Sequence, residues 1–165
     1  MKNVILLMLL VSFSIAIEFD FTKKNLDKFN LHGLSSNIIY KNKSDRDKQI
    51  EKLWDKFLNS KFYDLKTSED KKIYVVYSNY KSNSFDCFIG IKAKKKLSQS
   101  AQKMIPRSNY FTTILKYTKD MDMTTTWDEI QKQKLKRNYK FDIEQYSIMD
   151  LQKSKYFINI YLSRD

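Results

Sequence analysis

Two carboxylates stand two residues apart in Asp142-Ile-Glu-Gln-Tyr146, within a segment, Tyr139 to Tyr146, whose aromatic and β-branched content predicts a β-strand. Alternate residues of a strand share a face, so Asp142, Glu144 and Tyr146 point one way and Phe141 and Ile143 the other. A glutamate rinsed by water there would be an ordinary surface residue. Enclosed among aromatic rings, Glu144 would instead act as counter-ion to a flat organic cation, which ring faces also attract. Burial would raise its pKa as well, allowing it to accept or donate a proton near neutrality. The choice depends on what else shares its face.

Neighbouring strands predict that company. Asp86 to Lys94 sets Cys87, Ile89, Ile91 and Ala93 on one side, and Tyr156 to Leu162 sets Tyr156, Ile158, Ile160 and Leu162 likewise. With Phe141 and Ile143 these are expected to form the core face under the helices. Phe88, Gly90, Asp142, Glu144, Tyr146, Phe157, Asn159 and Tyr161 then fall on the opposite face. Water alone would favour Lys, Thr, Ser and Glu there, so the patch is expected to floor a cleft.

The elements that must hold this face occur twice. A strand from Phe29 to Tyr40 precedes a helix from about Asp45 to Asn59, capped by Ser44 with Asp47, in which Ile50, Leu53, Trp54 and Phe57 recur at one-face spacing. Two strands follow, Ile73 to Tyr80 and Asp86 to Lys94, joined by the turn Lys81-Ser-Asn-Ser84. The order recurs: a strand from Asn109 to Tyr117, a helix opened by Thr126 with Glu129 as capping partner, then Tyr139 to Tyr146 and Tyr156 to Leu162. Leu53-Trp54-Asp55 aligns with Thr126-Trp127-Asp128, Val76 to Tyr80 with Asp142 to Tyr146, and Cys87 to Ile91 with Phe157 to Tyr161. The fold class is therefore α+β. Duplicated strand-helix-strand-strand units form a largely antiparallel sheet, with two helices on one face and a ligand cleft on the other. Lys95 to Arg107 would link the copies.

Composition bounds the function. The chain of 165 residues suits one domain, and 42% hydrophobic content with only 2 Gly and 1 Pro argues for a folded core. The formal charge of +12 invites nucleic acid, but only 4 of the 31 basic residues are Arg, the residue suited to bidentate base and phosphate contacts. Direct nucleic-acid binding is not expected, and the run Lys92-Ala-Lys-Lys-Lys96 reads as a solvated turn. Cys87 and His32 are each the single residue of its type, so there is no internal disulfide and no zinc-ligand spacing. No cofactor is expected. Lys2, the apolar run Val4 to Phe13 and Ser14-Ile15-Ala16 have the three parts of a secretory signal, with cleavage after Ala16. Residues 17–28 would then be an N-terminal extension, 29–165 the domain, and the mature protein exported to periplasm or medium without stable membrane insertion.

With these residues placed, the chain resembles the GyrI-like, or AraC-type effector-binding, small-molecule-binding domain family. The resemblance covers about Phe29 to Leu162. It rests on Ile105-Pro106 with Asn109-Tyr110-Phe111, on Trp127 with Ile130, and on Arg137, Tyr139, Asp142, Glu144 and Tyr146. Gly33, Leu53-Trp54 with Phe57, Tyr77 with Tyr80, and Phe85 with Gly90 add to it. It departs from the family at Ile143, where Phe is usual, and at Lys119-Asp120, where a glycine is usual. The resemblance implies a cleft between the halves with Glu144 in it among aromatics. Many relatives carry a helix-turn-helix, for which residues 17–28 are too short. The expected function is thus stand-alone binding of a small aromatic or cationic organic molecule. Glu144, Tyr146, Trp54, Trp127, Tyr110, Tyr77, Phe88 and Tyr161 are the candidate ligand-binding residues. Two alternatives stay open: a hydrolase of strained electrophiles using the same glutamate, and a protein-protein inhibitor or regulatory module.

Overall fold

The computed structural model describes residues 19–60, 68–93, 97, 100–118, 121–151, 153 and 155–165. The expected signal segment, residues 1–16, lies outside them. Two helices and eight strands follow in the order β1 (Thr22–Leu26), β2 (Phe29–Ile39), α1 (Lys43–Leu58), β3 (Lys72–Lys81), β4 (Ser84–Ile91), β5 (Ala101–Ile105), β6 (Ser108–Thr118), α2 (Met123–Lys132), β7 (Phe141–Ser147) and β8 (Lys155–Arg164). The strands form one curled, wholly antiparallel sheet in the order β1-β6-β8-β7-β3-β4-β2-β5. This is the expected α+β architecture.

Both helices begin earlier than expected, because the caps differ. Asn42 Oδ1 accepts from Asp45 N at 2.9 Å and opens α1 two residues before Ser44. Asp122 opens α2, its carboxylate accepting from Thr124 N and Thr125 N at 2.9 and 3.3 Å and from the Thr125 hydroxyl at 2.7 Å. That hydroxyl and the adjacent amides lower the Asp122 pKa to about 2. Thr126, the expected cap, is instead buried one turn into the helix, its hydroxyl returned to Asp122 O.

The duplication is more complete than the sequence suggests. Segments read as an extension and as a linker supply β1 and β5, and these are equivalent: β1 and β5 are both five residues long, β2 and β6 both eleven, and each second copy starts 79 residues after the first. The registers repeat too. Thr22 opposite Thr112 and Leu26 opposite Ser108 correspond to Ala101 opposite Gly33 and Ile105 opposite Phe29. Each half is therefore β-β-α-β-β, and the halves exchange their first strands, β1 pairing with β6 and β5 with β2. Carried across the sheet, the registers set β7 69 residues after β3, making Tyr146 the counterpart of Tyr77 and Asp142 that of Ile73. Val75 and Glu144, directly opposite each other, then lie on the pseudo-two-fold axis. The alignment of Val76 with Asp142 is three residues off, and an odd slip sends every side chain to the wrong face.

The observed register also corrects the position of the cleft. The helix-side core contains Ile73, Val75, Tyr77, Cys87, Ile89, Ile91, Tyr146, Ile158, Ile160 and Leu162. Glu144 pairs with Val75 and Ile160, so it and Tyr146 face the helices, whereas Ile143 pairs with Val76 and Tyr161 and faces away. The cleft consequently opens on the helix side of the sheet and not on the opposite face. Strand β7 is central and buried on both sides, so apolar alternation carries no information about which side bears the helices.

The far face holds a second cluster of Leu31, Tyr74, Val76, Phe88, Ile105, Tyr110, Ile143 and Tyr161. Lysine stems lie across its rings: Lys92 Nζ is 4.4 Å from the Phe29 centroid, Lys103 Nζ 5.5 Å from Phe141 and Lys24 Nζ 5.7 Å from Tyr161. These three lysines thus cover apolar surface with their stems while keeping their charge toward water. No helix among the described residues is long and apolar enough to cross a membrane.

Gly33 and Gly90 face each other across the β2–β4 pair. A Cβ on Gly33 would lie 2.0 Å from Ile89 O and 2.6 Å from Gly90 Cα, both backbone atoms that cannot swing aside. Gly33→Ala is therefore expected to lower unfolding free energy by roughly 3 kcal/mol in a urea melt, while Ser35→Ala at an exposed site of the same strand stays near wild type.

Candidate functional site

A cavity of about 420 Å³ lies between α1, α2 and the helix face of β3, β4 and β7. That size is typical of a pocket for a small organic molecule. Its floor is Glu144, 2% exposed, on the pseudo-two-fold axis. The two equivalent tyrosines bind it from either side: Tyr77 donates its hydroxyl to Glu144 Oε1 at 3.1 Å and Tyr146 to Oε2 at 2.6 Å. Trp127, from α2, donates its indole N–H to Oε1 at 2.5 Å.

Each tyrosine also meets a tryptophan edge-on. Trp54 and Tyr146 have centroids 5.3 Å apart at 87°, and Trp127 and Tyr77 5.6 Å apart at 79°. The tryptophans reach these matching places from different turns. Trp54 lies twelve residues after Asn42 and Trp127 five after Asp122, a difference of about two turns. Tyr80, Phe85, Ile50 and Met123 complete the apolar wall, and Phe85 holds Tyr77 in a T-shaped contact at 5.7 Å.

The electrostatics oppose those of the whole chain. Asp47, Glu51, Asp128 and Glu144 line the cavity against one cation, Arg46, which is engaged by Asp47 at 3.1 Å. At the edge Lys43 joins the helices, with Nζ 3.2 Å from Asp128 and 3.6 Å from Asp122; both pairs are half exposed and add little stability. Glu144 itself receives only neutral donors. Among the described residues no ion pair reaches it.

Asp142, two residues back on the same face and fully buried, is the contrast. It accepts from Arg137 in an ion pair, from Tyr80 OH at 2.7 Å and from Ser163 N at 3.1 Å. Desolvation raises the Glu144 pKa against the pull of the three donors. Burial, with the Glu144 charge nearby, pushes the Tyr77 and Tyr146 phenols well above their ordinary value, so both remain donors.

Of the eight expected site residues, Glu144, Tyr146, Trp54, Trp127 and Tyr77 come together here. Tyr110, Phe88 and Tyr161 do not: they belong to the far-face cluster, where Tyr110 meets Tyr161 edge-on at 6.1 Å. Tyr80 and Phe85, which carry part of the family resemblance, join the site beyond the eight expected residues. Phe85 follows from the alternation that places Cys87 toward the helices. Tyr80 does not, because Asn79 takes a left-handed φ of 55° at a register shift and the bulge turns Tyr80 back onto the helix side. Among the described residues no group of His, Cys, Asp and Glu could hold a metal ion.

An aromatic cleft on the helix side of a duplicated half-barrel is the form of a small-molecule-binding domain. The profile of the integron-associated effector binding protein family, Cass2, matches residues 24–163, and the chain belongs to that family. Solved structures agree on the fold. An integron cassette protein from the mobile metagenome of Vibrio cholerae is 20% identical with a TM-score of 0.67, covering 88% of this chain and 96% of its own. SAV2435 bound to tetraphenylphosphonium is 14% identical with a TM-score of 0.71, covering 88% and 94%. A putative transcription regulation protein from Staphylococcus aureus MU50 is 15% identical with a TM-score of 0.68, covering 88% and 98%. These neighbours share the fold of this chain, and the family match agrees with the effector-binding resemblance carried by the residues. No curated protein matches the sequence.

The raised Glu144 pKa has a measurable sign. Between the ordinary value of 4.5 and the raised native one, the native state holds a proton that the unfolded chain has released, so stability falls as pH rises through that window. Glu144→Gln is expected to remove this slope and to melt higher than wild type at neutral pH, read by thermal unfolding across a pH series.

Proposed function

We propose that this effector-binding protein takes an organic cation, seated with its positive charge over Glu144 and its aromatic groups against Trp54 and Trp127. One observation carries the reading: a buried carboxylate, held by three neutral donors, has no cation of its own among the described residues while its neighbour Asp142 has one. A buried charge left unpaired is costly unless a partner arrives. Ring faces on both sides add cation–π attraction that strengthens as water is excluded. The acidic lining draws cations inward although the chain as a whole is basic. That the neighbour SAV2435 is bound to tetraphenylphosphonium supports the same ligand class.

The donors favour binding over turnover. Three of the roughly four acceptor sites of the carboxylate are taken by fixed groups, which suits holding charge more than drawing a proton from water. We further propose, from the charged, apolar and small-residue pattern of residues 1–16, that the protein works outside the cytoplasm.

Trp54 and Trp127 are the chain's 2 tryptophans and both line the cavity, so their fluorescence reports occupancy directly. Tetraphenylphosphonium is expected to quench it saturably. Glu144→Gln should weaken that binding by about tenfold or more, the scale of losing a close charge pair. Acidification should also release the cation, starting at a higher pH than an ordinary glutamate would require, because the folded pKa is raised. Equal affinity of wild type and Glu144→Gln would remove the glutamate from the account.

A further inference from the structure

The ion pair behind the cleft wall has no role in the site so far. Arg137 lies in the segment between α2 and β7, and its side chain is 2% exposed. One arm of its guanidinium engages Asp142, and the other donates from Nη1 to Gln131 Oε1 at 3.1 Å. Asp142 holds the Tyr80 hydroxyl at 2.7 Å. Tyr139, in a left-handed conformation with φ 56°, lays its ring 4.3 Å from the guanidinium carbon and meets Tyr80 edge-on at 6.1 Å. Tyr80 and Gln131 both line the cavity, one from the sheet and one from α2, whereas Arg137 and Asp142 do not.

The fold does not require this arrangement. Under the internal two-fold, the counterpart of Asp142 is Ile73, fully buried in the same core, so an aliphatic side chain fills the position in the first half. A buried ion pair rarely stabilises more than well-packed apolar residues of similar volume. This one also leaves Arg137 Nε buried without a partner. Tyr80, moreover, reaches the cavity only through the Asn79 bulge, and its hydroxyl bonds Asp142.

We propose that Arg137 is a positioning residue that sets the size limit of the cleft: through Asp142 it fixes Tyr80 on the sheet and directly it fixes Gln131 on α2, and so it decides which cations fit. Its planar fork is what the task needs. A lysine could keep the charge beside Asp142 but could not also serve Gln131 or lie flat under Tyr139. The proposal rests on the cation-binding reading for its ligands, and its structural part stands apart from it.

The test compares the full chain with Arg137→Lys and Tyr80→Phe, the second leaving the ion pair intact should the first fold poorly. Dissociation constants for tetraphenylphosphonium and tetramethylammonium are read from tryptophan quenching, and unliganded crystal structures give the Tyr80 ring position. The expected result is a change of about tenfold in the ratio of the two constants in both variants, with the ring at residue 80 displaced. A ring that stays in its wild-type place, or two constants that move by one common factor, would overturn the proposal. Should wild type bind neither cation, the cation reading fails, and the ring position in the variants still decides the part played by Arg137.

Discussion

A carboxylate in a dry interior must be met by donors, and the arrangement around Glu144 depends on that demand. The pseudo-two-fold brings Tyr77 and Tyr146 to the two sides of one point on the β3–β7 pair, and the residue at that point becomes the acceptor for both. Each phenol is in turn oriented by a tryptophan edge, so helices and sheet are locked together by the rings that define the cavity. The three donors that hold the carboxylate in place are all neutral, so none of them cancels a charge on it.

Duplication supplies the frame, and departure from it sets two acids in the core. Where the first half has Val75 and Ile73, the second has Glu144 and Asp142. The aliphatic versions show that the fold can close over these positions with hydrocarbon alone. The two acids have diverged further from one another: one is neutralised by Arg137 and shapes a wall, the other is left with uncharged partners and faces the cavity. Two-fold architecture with asymmetric chemistry gives a cavity near the molecular axis whose two sides need not be alike.

Much of this was legible in the residues. Six of the eight strands, both helices, the repeat and the grouping of Glu144, Tyr146, Trp54, Trp127 and Tyr77 follow from periodicity together with the family resemblance. The side of the sheet did not follow. In β7 both faces are buried, so Phe141 and Ile143 are as apolar as core residues should be and still point away from the helices. Phe88 and Tyr161 group with the glutamate for that reason and Tyr110 through the family resemblance, although all three belong to a second core that lysine stems help to cover. Strands β1 and β5 are edge strands, the first exposed at all but its last residue and the second alternating half-buried with exposed positions up to Ile105, and nothing in such short segments marks them as paired until their partners are known.

The exchange of first strands bears on how the molecule comes into being. As the chain leaves the ribosome, residues 22–26 are made early, yet their partner in the sheet, residues 108–112, appears only when most of the polypeptide exists. The first half likewise waits for residues 101–105 to finish its own border. Neither half is then a self-sufficient folding unit, and closure must be a late, concerted event dominated by contacts between distant parts of the sequence, the kind of topology that folds slowly.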